Sequence, residues 1–192
     1  MRRDCAGSTG GGAVPGKPRR PLRPEPVLAR AATLLLGAMA EGVQVFEFGS
    51  GGSTLYLAQR AAWLVSVEHD ADWAAAVRAG LERYELGAEV RQVEINGMAN
   101  AISGEGLWDL VFVDCIDSQR KRAIANGARH VKPGGWLVAD DYDTKPNVRR
   151  AVERLRGAGW DVGLVAGVKV HALRGRPVRT MTAFCWRGDA CS

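Results

Sequence analysis

VFEFGSGGSTLYLA, residues 45–58, is the stretch on which the reading of the whole chain turns. Residues 45–48 form a short apolar run broken once, by Glu47. Residues 49–53 make a turn with three glycines, and residues 54–58 open a new run at helical spacing. Strand, tight loop and helix in that order describe a nucleotide-cofactor loop. Gly49, Gly51 and Gly52 let backbone amides approach a ligand with no Cβ in the way, and the following helix aims its positive end at the same spot. An isolated loop of this kind also fits the strand-to-helix turn of any doubly wound protein, so the flanking sequence has to decide.

Downstream, strand-like and helix-like stretches alternate. WLVSVE (63–68) reads as a strand ending in an acid, with Asp70 or Asp72 as cap for a helix from Trp73 to about Tyr84. EVRQVEI (89–95) alternates as a third strand, and residues 96–106 read as a loop with a short helical turn. WDLVFV (108–113) is almost wholly apolar, as suits a buried parallel strand, and ends at Asp114. Residues 118–131 read as a helix broken by Lys132-Pro133-Gly134-Gly135; WLVA (136–139) is the fifth strand, ending at Asp140 and Asp141. A helix over 147–157 and two or three strands around a Gly175-Arg176-Pro177 turn complete the chain. This order predicts an α/β fold: a doubly wound, mostly parallel sheet with helices on both faces and a C-terminal antiparallel hairpin closing one edge.

Upstream, Val27, Leu28, Ala31, Leu34, Leu35 and Ala38 recur at helical spacing until Gly42 and predict a first helix against the sheet edge or over the cofactor site. Before it, residues 1–24 are rich in Gly, Pro and Arg and lack hydrophobic periodicity, which predicts a disordered basic tail ahead of one domain over 25–192. Arg2, Arg3, Lys17, Arg19, Arg20 and Arg23 against Asp4 and Glu25 give residues 1–26 a balance of +4 out of the chain's +5. The remainder is then only +1, far from the basic face of a dedicated nucleic-acid binder. No apolar run of membrane-spanning length is present and no apolar signal core follows Arg2 and Arg3, so a cytoplasmic protein is expected. Cys5, Cys115, Cys185 and Cys191 form no CxxC pair, and Cys115 and Cys185, in strand-like or strand-edge contexts, read as reduced thiols rather than metal ligands or a disulfide framework.

Several strands carry acids at or beside their carboxyl ends: Glu47, Glu68, Asp114, and Asp140 with Asp141. Ligands of open α/β sheets bind at those ends, so acids at several equivalent ends predict a site. Glu68 stands 17 residues after Gly51, near the spacing at which an acid meets a cofactor ribose. The loop departs from the dinucleotide pattern, since Thr54 takes the third glycine slot, and from the P-loop, since no Lys follows the glycines. Glu47, just before the loop, would repel a pyrophosphate and suit a cationic ligand, which points to S-adenosylmethionine.

Over residues 27–187 the chain resembles the class I S-adenosylmethionine-dependent methyltransferases, and within them the small-molecule O-methyltransferases. The resemblance rests on EFGSGGST (47–54), SVEHD (66–70), DLVFVD (109–114) and VKPGGWLVADD (131–141). It implies a seven-stranded sheet and a cofactor site in which Glu47 and the loop Gly49, Ser50, Gly51, Gly52 and Ser53 face the methionine part. Glu68 would then face the ribose and His69 the adenosine edge, with Asp114 beside the cofactor. Asn96 stands where many relatives place an acid near the adenine, and Asp114-Cys115-Ile116-Asp117 replaces the Asn- or Asp-Pro-Pro-aromatic motif of amino-methylating nucleic-acid enzymes. Asp114, Asp140 and Asp141 look like the acids that hold a divalent metal in some small-molecule O-methyltransferases, with Mg²⁺ the ion suited to such oxygen ligands. The same three are the catalytic candidates for handling the acceptor's proton, while His130, His171, Lys121, Arg120 and Arg122 are read as structural or solvated.

The resulting expectation is methyl transfer to an oxygen of a small-molecule acceptor, in a pocket either open or completed by the second subunit of a homodimer. A methyltransferase acting on protein or RNA, motivated by the basic tail, and a non-catalytic S-adenosylmethionine-binding module are the rival readings.

Overall fold

Seven strands and five helices follow one another in a computed structural model that describes residues 22–170 and 176–188. The strands are β1 Gln44–Phe48, β2 Trp63–Glu68, β3 Glu89–Gln92, β4 Trp108–Val113, β5 Val131–Ala139, β6 Asp161–Val170 and β7 Pro177–Trp186. The helices are α1 Arg30–Ala40, α2 Gly52–Ala58, α3 Ala71–Arg83, α4 Asp117–Arg129 and α5 Pro146–Gly157, with a short 3₁₀ turn at Met98–Asn100. They build one sheet of order β3-β2-β1-β4-β5-β7-β6, parallel from β3 to β5 and antiparallel in β5–β7 and β7–β6. Among the described residues no helix is long and apolar enough to cross a membrane.

Side-chain alternation along the central strands divides the core into two faces. Phe46 and Phe48 of β1 join Val65, Val67, Val111 and Val113 beneath Ile124 of α4 and Val148 and Val152 of α5. Val45, Leu64, Leu110 and Phe112 face the other way, against Ala32, Leu36 and Ala40 of α1 and Leu57 of α2. Each fully buried Phe, Leu or Val contributes on the order of 1.5–3 kcal/mol, so two such layers fix the central strands and the loops at their carboxyl ends. Glu47 alternates onto the second face, where α2 begins, and this puts a carboxylate under the glycine loop.

Three elements differ from the sequence expectation. The buried stripe is Leu28 and Ala29 just before α1 and Ala32, Leu36 and Ala40 within it, whereas Leu34 and Leu35 are 62% and 42% exposed. A helix this apolar has no single face by periodicity, and close approach selects the small residues: a Cβ at Gly167 of β6 would lie 2.5 Å from Ala29 Cβ. The Lys-Pro-Gly-Gly stretch does not break the chain between helix and strand but lies inside β5. Trp108 pairs with Val131 and Leu110 with Trp136, so four residues oppose Asp109 alone in a bulge that Gly134 enters at φ +74°. β3 stops at Gln92 because that residue pairs with Glu68, where β2 ends.

Candidate active site

The loop after β1 is held from beneath. Both Glu47 oxygens accept hydroxyl hydrogen bonds: Ser53 Oγ donates to Oε1, and Thr54 Oγ1 and Ser66 Oγ donate to Oε2 at 2.6 Å each. Complete burial pushes this carboxyl up to about 7 despite the three donors, and the neighbouring Glu68 adds to the rise. Glu47 therefore lies under the loop with no exposed surface, where it anchors Ser53 and Thr54. Gly49 adopts φ +94°, and a Cβ there would lie 2.6 Å from the Asp114 carbonyl oxygen, so only glycine lets the loops after β1 and β4 touch. Three loop amides are committed to protein acceptors: Gly49 N donates to Val67 O at 2.9 Å, Ser50 N to Glu68 Oε2 at 3.2 Å and Gly51 N to Thr54 Oγ1 at 2.8 Å. At seven residues α2 is short, so its own dipole is modest.

At the end of β2, Glu68 Oε1 accepts from His69 N at 2.8 Å and Asp70 N at 2.9 Å, while its other oxygen reaches Ser50. The acid thereby ties the second strand end to the glycine loop. His69 Nδ1 stands 2.7 Å from the same carboxylate, and Asp70 caps α3 by accepting from Trp73 N at 2.9 Å. Trp73 was not foreseen as a site residue. Its indole Nε1 donates to Ser50 O at 2.7 Å, so a side chain from α3 braces the loop from outside. Its only sequence signal is a position three residues beyond the capping Asp70.

The acids after β4 and β5 converge. One oxygen each from Asp114, Asp140 and Asp141 lie within 4.8 Å of one another. Two cations share this cluster. Arg120 of α4 places Nη2 2.7 Å from Asp114 Oδ1 and Nη1 3.0 Å from Asp141 Oδ2, and its Nε donates to Cys115 O at 2.6 Å. Lys169 of β6 places Nζ 2.6 Å from Asp140 Oδ2 and 2.7 Å from Asp141 Oδ1. Thr182 of β7 donates to Asp140 Oδ1 at 2.9 Å. Arg120 is thus buried, against the expectation of a solvated helix face; Lys121 and Arg122 are exposed. Burial pushes the Asp114 carboxyl up to about 7, against the opposing charge of Arg120, and raises Asp140 as well. Burial acts on Asp141 too, but its bonds to Lys169 and the charges of Lys169 and Arg120 outweigh it and hold the group below the usual carboxylate range. Asp141 is also a non-glycine residue at φ +62°.

The donor set can be tested against the divalent ion that the sequence suggested. Asp114 Oδ1, both oxygens of Asp140 and both of Asp141 are engaged by Arg120, Lys169 and Thr182, which accounts for five of the six carboxylate oxygens. Three carboxyl groups meet two built-in positive charges. As these side chains stand, a divalent cation does not fit without displacing Lys169.

The remaining candidates take structural places. His130 Nδ1 lies 2.9 Å from Asn126 O at the end of α4. Cys115 and Cys185 are free and buried, and burial pushes both thiols up to about 12. His171, Gly175, Cys5 and Cys191 lie outside the described residues, as do residues 1–21. Residues 22–26, partly assigned to the tail by sequence, are packed here. The carbonyls of Arg23 and Glu25 cover Gly52, and Leu22 joins Leu55, Val77 and Leu81.

The sequence model of a family described as Methyltransferase domain matches residues 46–142, half of the chain. No curated protein matches the sequence. Among solved structures the chain is similar to the O-methyltransferase TomG from Streptomyces achromogenes, involved in tomaymycin synthesis and solved with SAM, at 21% identity and TM-score 0.65 over 85% of this chain and 82% of that one. An O-methyltransferase from Bacillus cereus in complex with SAH gives 19% identity and TM-score 0.64 over 82% of each chain. Precorrin 8W decarboxylase from Methanobacterium thermoautotrophicum gives 20% and 0.63 over 84% of this chain and 91% of that one. At these identities the likeness is one of fold. With its glycine loop, strand-end acids and seven-stranded sheet, the chain belongs to the methyltransferase-domain family and is a class I S-adenosylmethionine-dependent methyltransferase.

Proposed function

We propose that this enzyme transfers the methyl group of S-adenosylmethionine to an oxygen nucleophile of a small molecule, with the cofactor along the glycine loop and the acceptor beside the acid cluster. The observation that carries the reading is the contact of Gly49 with the Asp114 backbone, which joins loop and acids into one continuous edge. Residues 49–53 are assigned to the methionine part, with Glu47 acting through its hold on Ser53 and Thr54. Glu68 is assigned to the ribose and His69 to the adenosine edge. Attack on the sulfonium methyl must be in line, so the chief contribution of the site is to hold acceptor and methyl in near-attack geometry.

Asp114 is the acid assigned to take the acceptor hydroxyl's proton. Its side chain is 28% exposed against 15% for Asp141 and none for Asp140, so it is the member an acceptor reaches first. Arg120 holds it in place, and burial raises its carboxyl above the ordinary carboxylate range, which makes it a stronger base than a free aspartate. The O-methyltransferases among the structural relatives support an oxygen acceptor, and the near-neutral balance of residues 27–192 supports a small one over nucleic acid. Mg²⁺ assistance, favoured by the convergence of three carboxylates, requires Lys169 to leave the cluster. No step of the proposed transfer runs through it.

Calorimetric titration of the full chain with S-adenosylmethionine and S-adenosylhomocysteine tests the cofactor assignment. Micromolar binding is expected, weakened about tenfold or more by Glu68→Ala through loss of charge-assisted bonds to the ribose. A screen of hydroxylated acceptors with and without chelator then tests the reaction. Absence of binding to either ligand would overturn the reading, and unchanged affinity in Glu68→Ala would reduce that acid to a loop brace.

A further inference from the structure

We propose that Lys169 stands in the cation position of the acid cluster, so that this enzyme carries in β6 the positive charge that a divalent ion would otherwise supply there. The inference rests on the reading above that this edge is the site of transfer. Lys169 Nζ bridges Asp140 Oδ2 and Asp141 Oδ1 at 2.6 and 2.7 Å, between two acids that the sequence marks as metal ligands. Arg120 bridges the remaining pair, Asp114 and Asp141. The two cations thus join all three acids, and Asp141 is the member that both share. From its left-handed backbone at φ +62° Asp141 reaches both partners, a conformation that costs a non-glycine residue free energy and persists only where its surroundings hold it.

Burial makes the arrangement decisive. The Lys169 and Arg120 side chains are 12% and 10% exposed, so solvent screens the cluster weakly, and a third cation would meet two fixed positive charges at close range. Lys169 also has a ready means of reaching the site: β6 is paired with β7, whose Thr182 touches the same Asp140.

The test uses the full chain, stripped with chelator, and Mn²⁺ as the probe, with loss of the free-ion paramagnetic signal as the readout. The native protein is expected to leave Mn²⁺ free. Lys169→Met should open the site and take up one ion per chain at least about tenfold more tightly, and adding Asp141→Asn to it should abolish the uptake. Lys169→Gln serves as the second opening variant should Lys169→Met lose its native circular dichroism. Native protein that binds Mn²⁺ as tightly as Lys169→Met would overturn the proposal. Folded variants that bind none would overturn it equally, since removing the lysine would then open no cation site. S-adenosylmethionine affinity, measured on the same native samples, separates the two readings: its absence would sink the assigned function and leave the cation assignment standing.

Discussion

Glu47 combines two demands that conflict. It must accept from Ser53, Thr54 and Ser66 to hold the glycine loop, yet it is wholly buried, and burial disfavours the charge that makes it a good acceptor. Its carboxyl is pushed from 4.5 up to about 7 in the fold. Between those values the folded chain retains a proton that the unfolded chain has released, so rising pH favours unfolding. The contribution is fully present below 4.5 and lost as pH passes 7. A rise from 4.5 to about 7 corresponds to up to about 3 kcal/mol. Asp114 has a raised carboxyl of the same sign, so the comparison that isolates Glu47 is the native chain against Glu47→Gln. Urea unfolding at pH 4.5 and pH 7 should show native stability falling between the two by about 1–3 kcal/mol more than the variant's. Equal slopes would mean that Glu47 ionises in the fold as freely as outside it. Single residues were also where the sequence was hardest to read. Arg120 sits in a run of three basic residues that looks solvated, and only the fold shows that the first of the three faces Asp114. Lys169 left one trace, a lone charge between Val168 and Val170 on an alternating strand.

At the level of elements, the glycine loop is a junction of three pieces of chain, and two of its glycines test different seams. Gly49→Ala would drive a Cβ to 2.6 Å from the Asp114 carbonyl and strain a backbone at φ +94°, which forces apart the ends of β1 and β4. Gly52→Ala places its Cβ 2.3 Å from the Glu25 carbonyl, so the element that must yield is the segment over 22–26. Gly49→Ala should therefore lower the melting temperature by several degrees, on the order of 1–3 kcal/mol, and weaken S-adenosylmethionine binding. Gly52→Ala should leave the strand ends in place and chiefly raise proteolytic nicking near residue 22. Equal losses of cofactor affinity in the two variants would show that the N-terminal segment belongs to the cofactor site. The sequence marked Gly49 and Gly52 as loop glycines open to a ligand, and neither seam was legible in it, since nothing in Asp114 or in residues 22–26 declares a backbone partner. For the same reason α1 was placed correctly but turned wrongly: Leu34 and Leu35 satisfy helical spacing as well as Ala32 and Leu36 do, and only the close approach of β6 chooses between them. The bulge in β5 was hidden by Pro133 and two glycines, residues that more often end a strand than interrupt one.

On the scale of the whole molecule, the alternation of strand and helix made the sheet legible, because parallel neighbours require crossovers and the helix-free C-terminal pair requires a hairpin. Residues 22–26 make contacts that composition does not reveal: Leu22 packs with Leu55, Val77 and Leu81, and Arg23 and Glu25 lie on Gly52. Residues 1–21 carry Arg2, Arg3, Lys17, Arg19 and Arg20 against Asp4, which is +4 of the total +5. Deleting them leaves every contact described for residues 22–26 and a chain of net +1. That truncation should keep its melting temperature within about 2 °C and its S-adenosylmethionine affinity within about threefold. A further cut through residue 25 removes Leu22 from its cluster and uncovers Gly52, and should lower the melting temperature by several degrees, on the order of 1–3 kcal/mol. The first truncation also separates the acceptor classes. A small-molecule enzyme retains its turnover without the tail, whereas one whose acceptor is RNA or an acidic protein loses most of its affinity for that acceptor, with a shallower dependence on salt. Loss of cofactor binding on removal of residues 1–21 alone would contradict both outcomes and make the basic segment part of the cofactor site.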